Sequence, residues 1–190
     1  MFNSHELSYV NNKEIFKVKS TLTKKVEKHF CALEEAIKSA IKKNNYLFDD
    51  RVKIRTGKIS RGENYNGYPY LMLDYPGYFS REAIFAFRFM FWWGHYWSHY
   101  LLISGSIKAE MQQNFLQNKG HLADLLIDVH TDPWKHEIEN NPPISTLSKK
   151  EYEYILKEKD FVKYTKALPL EDDALSDGLM FFNRFNFLFK

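Results

Sequence analysis

The feature that most constrains the fold of this 190-residue chain is a run in which aromatic residues occupy every second position. In residues 84–93 one set of alternate positions is fully aromatic, and the other contains a single charge, Arg88. A period of two is typical of a β-strand, whose successive side chains point to opposite faces of a sheet. We therefore predict a strand whose core face carries Phe85, Phe87, Phe89, Phe91 and Trp93.

Three neighbouring segments, residues 51–60, 68–75 and 96–103, have similar strand character. The pair Asn66-Gly67 favours the positive φ values of a tight hairpin turn, and Pro76-Gly77 suits a type II turn. Consecutive strands joined by short turns form an antiparallel meander. We expect residues 161–168 to form one more strand, so the predicted sheet has four or five strands.

Helical patterns flank these strands on both sides. Apolar residues recur at three-to-four spacing over residues 21–44. A first later helix is predicted over residues 107–117, with Ser106 as its N-cap, and an apolar stripe at 122–129 predicts a second. Asp132-Pro133 is predicted to begin a short helix that ends at Glu139. Two further helices are predicted at residues 148–158 and from Asp172 or Asp173 to residue 189. Ser148 and Glu151 form a capping box. This order predicts a single α+β domain over residues 1–190, with an N-terminal helix and several C-terminal helices packed on an aromatic-rich antiparallel sheet.

The chain has one cysteine, Cys31, and no apolar segment of the signal-peptide kind at its start. Both features favour a reducing compartment, so we expect a cytoplasmic location. Residues 83–103 are apolar enough to resemble a membrane span, but they contain Arg88 and alternate strictly in their first half. We interpret this segment as a β-hairpin and expect no membrane partner.

Arg88, His95, Trp97 and His99 form the first candidate site. Arg88 interrupts an apolar strand, and in an extended strand His95, Trp97 and His99 point the same way. If both strands turn these residues to one side, they line a cationic, aromatic-walled cavity suited to a small anionic or aromatic ligand. The alternative is an edge position in which the guanidinium reaches over neighbouring rings into water.

A second candidate is a metal site formed by His121, Asp124, Asp128 and His130. On a helix, His121, Asp124 and Asp128 are three and four residues apart and share one face. Imidazole and carboxylate ligands suit zinc, manganese or iron. Because the spacing is no known ligand signature, we expect no metal and no cofactor, and the alternative interpretation is a solvated polar face.

Two surface features bear on partners. Basic residues at 51, 53 and 55 alternate on one predicted strand near several tyrosines, but the net charge is only +3, so a nucleic-acid partner is not expected. The C-terminal end is strongly apolar, and we expect it to dock on the sheet and to share part of its surface in a homodimer. Its apolar residues are Met180, Phe181, Phe182, Phe185, Phe187, Leu188 and Phe189.

The sequence contains no complete catalytic motif. We therefore expect a non-enzymatic domain that binds a small ligand in an aromatic and cationic pocket, or that interacts with a partner. The alternative function is a metal-dependent hydrolase that uses the histidine and aspartate cluster.

Overall fold

A computed structural model describes residues 1–189 of the chain. Its helices are α1 (Ser4–Val10), α2 (Lys13–Asn44), α3 (Gly105–Gln117), α4 (Lys149–Glu158) and α5 (Ala174–Asn183). Its strands are β1 (Lys58–Tyr65), β2 (Tyr68–Phe79), β3 (Ala83–Trp92), β4 (Trp97–Ser104), β5 (Leu126–Ile127) and β6 (Phe161–Leu168). Short 3-10 turns lie at Lys119–Leu122, Ile144–Thr146 and Asn186–Leu188.

The strands form one open antiparallel sheet in the order β1-β2-β3-β4-β6-β5. The predicted α+β class with an antiparallel meander is confirmed. The sheet has six strands rather than four or five, because the two-residue β5 adds to the edge of β6. The first four strands follow one another as hairpins, which makes residues 83–103 a β3–β4 hairpin as predicted.

One face of the sheet carries the aromatic core. Alternate residues of β3 are buried there, from Phe85 to Phe89, beneath the apolar stripe of α2. That stripe consists of Val26, Phe30, Leu33, Ile37 and Ile41. Helix α5 and the residues after it add further rings, with Phe87 in contact with the rings of Phe182 and Phe185. The C-terminal aromatic segment is therefore docked on its own sheet, as expected.

The opposite face of the sheet is covered by an irregular segment, residues 128–143, which we call the covering loop. Lys163 of β6 donates hydrogen bonds to the loop carbonyl oxygens of Pro133 and Lys135. Tyr100 of β4 donates one to the carbonyl oxygen of His136. Buried polar side chains of the sheet thus fasten the loop over this face.

Several local predictions are confirmed. The Ser148–Glu151 capping box opens α4, and Asp173 caps α5. Asn66 and Gly67 have φ values of 50° and 88° and join β1 to β2 in a tight turn. In each case the signal is a side chain or backbone preference that acts within a few residues, so distant parts of the fold do not alter it.

Predictions for the first strands need correction. The strand predicted at 51–60 begins only at Lys58, because Val52 closes a turn with the carbonyl oxygen of Asp49 and Lys53 forms only an isolated bridge to Gly77. The predicted turn at Pro76-Gly77 lies inside β2, at a shift of register between Asp74 and Gly77. Proline lacks an N–H and is tolerated at such a bulge.

Four predicted helices also differ. The stripe at 122–129 is a 3-10 turn followed by β5, because the edge of β6 offers ladder bonds to this segment. The segment after Asp132-Pro133 is irregular, since Lys163 occupies carbonyl oxygens that a helix would use. Helix α5 ends at Asn183, not at 189. Ser104, not Ser106, is the N-cap of α3.

Within residues 1–189, none of the helices combines the length and the apolar character that crossing a membrane requires.

Candidate functional site

A polar row crosses the loop-covered face of the sheet. Asp74, Arg88, Tyr100 and Thr165 stand in register on β2, β3, β4 and β6. The Arg88 guanidinium binds both carboxylate oxygens of Asp74, at 2.7 and 3.0 Å, and lies 5.3 Å from the ring of Trp134. Arg88 therefore lies inside the fold against a carboxylate and an aromatic ring, as its place in an apolar strand predicts.

The structure does not bring the four predicted pocket residues together. Arg88 pairs with Tyr100 on the loop-covered face, whereas Phe89 pairs with His99, which places His99 and Trp97 on the helix-covered face. His95 lies in the β3–β4 turn, with its ring stacked 3.7 Å from that of Trp92. The expected single cavity is not formed, because Arg88 and His99 are separated by the sheet itself.

His99 belongs to a buried polar cluster under α5. Its Nε2 lies 3.4 Å from Oδ1 of Asp177, whose other oxygen pairs with Lys166. Burial lowers the pKa of His99, so the imidazole is neutral near pH 7. The close approach of His99, with help from Lys166, lowers the pKa of Asp177 to about 2. His99 is 1% exposed, so this cluster stabilises the fold rather than facing a ligand.

The predicted metal set is split between two places. Because residues 122–129 are not a helix, His121, Asp124 and Asp128 do not share a face, and Asp124 forms an ion pair with Arg184. Among residues 1–189 there is no group of three metal-ligating side chains. Asp128 and His130, however, lie side by side at the start of the covering loop.

The Asp128–His130 pair has the geometry of an oriented imidazole. Oδ1 of Asp128 accepts a hydrogen bond from the backbone N–H of His130 at 2.7 Å and lies 3.0 Å from the ring Nδ1. Asp128 is 1% exposed, and its Oδ2 lies 2.6 Å from the Lys163 ammonium. The carboxylate is thereby held from both sides, which fixes the orientation of the ring.

Lys163 contacts the side of the Asp128 carboxylate that faces away from His130. It is 2% exposed, and burial lowers its pKa. The ammonium lies 5.6 Å from the Tyr100 ring and also binds the covering loop, so its charge and donors are all used. The buried Lys163 ammonium keeps the carboxylate and the loop carbonyl oxygens in one fixed arrangement, because moving away from any of these partners would leave its charge uncompensated.

In front of His130 lies a cavity of about 220 Å³, lined by His130, Thr131, Glu158, Lys159, Asp160 and Phe161. The Lys159 ammonium donates to the carbonyl oxygens of Val129 and His130, at 2.5 and 3.1 Å. No carboxylate within residues 1–189 forms an ion pair with it, and burial lowers its pKa. Glu158 and Asp160 are exposed at the rim.

Sequence reasoning selected Asp128 and His130 but missed Lys159 and Lys163. Lys163 had only a weak signal, since its neighbours Val162 and Tyr164 are apolar or aromatic but the same strand also contains Thr165 and Lys166. Lys159 had none, because a lysine at the end of a charged helix is ordinarily solvated.

Comparisons with family models, with curated proteins and with solved structures found no match to this chain. The candidate site is therefore defined by its own geometry.

Proposed function

We propose that this protein binds a small zwitterionic ligand in the cavity beside His130. The observation that carries the proposal is the fully buried carboxylate of Asp128, which orients an imidazole that is itself partly exposed and lines a cavity. His99 also lies beside a carboxylate, but its ring is fully buried, whereas the His130 ring is 20% exposed and lines the cavity, so its fixed ring can meet a ligand.

The hydrogen bond to Asp128 decides what His130 offers to a ligand. With the Nδ1 proton donated to the carboxylate, Nε2 of the neutral ring carries a lone pair and accepts a hydrogen bond. A ligand hydroxyl or ammonium supplies such a donor. If the ring is protonated, Nε2 donates instead, and Asp128 balances the added charge.

The charges around the cavity favour a ligand with both signs. Lys159 brings a positive charge that lacks a carboxylate partner, while Glu158 and Asp160 bring negative charges at the rim. A small anionic group fits next to Lys159, and a cationic group of the same molecule fits at the rim. The volume lies below the roughly 300–1,000 Å³ of pockets for drug-sized ligands, so a molecule of amino-acid size is expected.

The test is a titration of the protein with single α-amino acids, followed by NMR of the histidine ring signals. A saturable shift of the His130 signal is expected for at least one amino acid, and His130→Gln should weaken its binding at least tenfold. His121→Gln, which changes an exposed histidine outside the cavity, is the matched control. No saturable shift at 10 mM of any amino acid would refute the proposal.

The same pair favours a second candidate function, hydrolysis of a small ester. Nε2 of His130 would take a proton from water as the water oxygen attacks the carbonyl carbon, and would return it to the alcohol as the C–O bond breaks. Lys159 would stabilise the oxyanion. With p-nitrophenyl acetate as the probe, His130→Gln should lower the rate at least tenfold, and His121→Gln should not; equal rates for both variants would exclude this candidate.

A reducing compartment is part of the proposal. Cys31 is exposed and forms no disulfide within residues 1–189. An exposed free thiol is typical of a protein that works in the cytoplasm.

A further inference from the structure

The apolar stripe of α2 continues beyond the part of the helix that packs on the sheet. Val26, Phe30 and the later stripe residues are buried, but Ile15, Val18 and Leu22 are 41%, 47% and 37% exposed. These three residues lie on the same helix face as Val26, at spacings of three and four. Two turns at the start of α2 therefore present a core-like face that residues 1–189 cover only in part.

Helix α1 adds to this exposed surface. It has seven residues, none of them buried, and is joined to α2 by Asn11 and Asn12. An isolated helix of this length is marginal in water, because its few hydrogen bonds do not compensate for nucleation. Packing against another surface would stabilise it. We call residues 2–22, which include α1 and the start of α2, the N-terminal arm.

A groove runs between the arm and the end of the sheet. Ile15 and Val18 form one wall, and Pro69 and Trp93 from two strand ends form the other. The groove has a volume of about 400 Å³, and its walls are almost entirely apolar. An apolar helix face, such as the arm itself presents, is the kind of surface that fits it.

We propose that a second copy of this chain occupies the groove, so that two N-terminal arms pack antiparallel in a two-fold symmetric dimer. A symmetric contact needs a patch that is complementary to itself, and the arm supplies both the apolar ridge and the groove wall. The contact would cover the exposed stripe residues Ile15, Val18 and Leu22, and α1 adds Leu7 and Val10, which share one face of that helix. Phe16 and Tyr9 are also exposed but point away from these faces, so the buried area is smaller than that of a standard-size interface and the dimer is expected to be reversible.

The charges beside the stripe support the antiparallel direction. Glu14 and Lys25 flank the same edge of the exposed stripe, three helical turns apart, and both are exposed. When Val18 of each copy packs against Leu22 of the other, Glu14 of one copy lies next to Lys25 of the partner subunit. The symmetric contact therefore forms this ion pair twice, whereas in a parallel contact the same edges of the two helices lie on opposite sides of the interface and the pair cannot form.

The first test is the mass in solution, measured by size-exclusion chromatography with light scattering from 1 to 100 µM. The wild type should have the mass of two chains rather than the 22.7 kDa of one. Val18→Glu should give the monomer mass with unchanged circular dichroism, since the residue is outside the core. The matched control is Leu47→Glu, at an apolar side chain that is 70% exposed and distant in sequence from the arm, which should remain a dimer. A monomeric wild type at 100 µM, or a dimeric Val18→Glu variant, would overturn the proposal.

The second test concerns direction. Glu14→Lys should raise the dimer dissociation constant about threefold or more, and the charge swap Glu14→Lys with Lys25→Glu should restore it. An effect on helix α2 alone would not be reversed by a change eleven residues away. A double variant that is no tighter than Glu14→Lys would reject the antiparallel pairing.

Discussion

His136 of the covering loop is a histidine that folding keeps uncharged. It is 5% exposed, and its ring lies 5.2 Å from that of Tyr65 and 5.3 Å from that of Tyr100. Burial, followed by the positive charges of Arg88 and Lys163, lowers the pKa of His136 from 6.5 to about 3, and Glu137 opposes this only weakly. The imidazole is therefore neutral in the native protein at every pH at which the protein is handled.

This shift makes stability depend on pH with a definite sign. Below pH 6.5 the unfolded chain binds a proton at His136 that the native protein does not bind, so acidification favours unfolding. With pKa values of 6.5 and about 3, lowering the pH from 7 to 5 should reduce the free energy of unfolding by about 2 kcal/mol through His136 alone. The carboxylates with lowered pKa values lose their contribution only as the pH falls below their unfolded pKa, which is 3.8 for Asp177 and 4.5 for Glu137.

His136→Phe isolates this effect, because phenylalanine keeps a ring between the two tyrosines and does not titrate. Urea unfolding of the wild type and the variant at pH 7, 6 and 5 should show that the variant loses about 2 kcal/mol less on acidification. His99 titrates in both proteins and cancels in the difference. His121→Gln is the control, and parallel pH curves for wild type and His136→Phe would refute the reasoning.

Other substitutions test the core, the ion pair and the backbone by urea or thermal unfolding. Phe87→Ala removes a fully buried ring and should cost about 3–5 kcal/mol; a loss below 1 kcal/mol would contradict the packing. Arg88→Met leaves the carboxylate of Asp74 unpaired and should cost about 3 kcal/mol, and adding Asp74→Leu should recover most of that loss. Gly105→Ala should lower the melting temperature by about 5 °C or more, because φ is 61° and the new Cβ would meet the carbonyl oxygen of Glu82.

The candidate site shows how far sequence reasoning reaches for function. Asp128 and His130 were selectable from the sequence because they are potential ligands close together in the chain. Their partner Lys163 is more than thirty residues away, and its role depends on how β6 pairs with β4 and β5. The pocket expected from Arg88 and His99 required both side chains on one face of the sheet. Which face each side chain occupies depends on the register of the β3–β4 hairpin, and this register places them on opposite faces.

The sequence by itself determined the local elements of this protein. The alternation around Phe87, the capping box at Ser148 and the Asn66-Gly67 turn each act within a few residues, and each predicted its element correctly. Only the tertiary structure decided the form of residues 122–129, whose apolar spacing suits a helix but which pair with the edge of β6. It also decided which sheet face each polar residue occupies, because a shift of one residue in register exchanges the two faces of a strand.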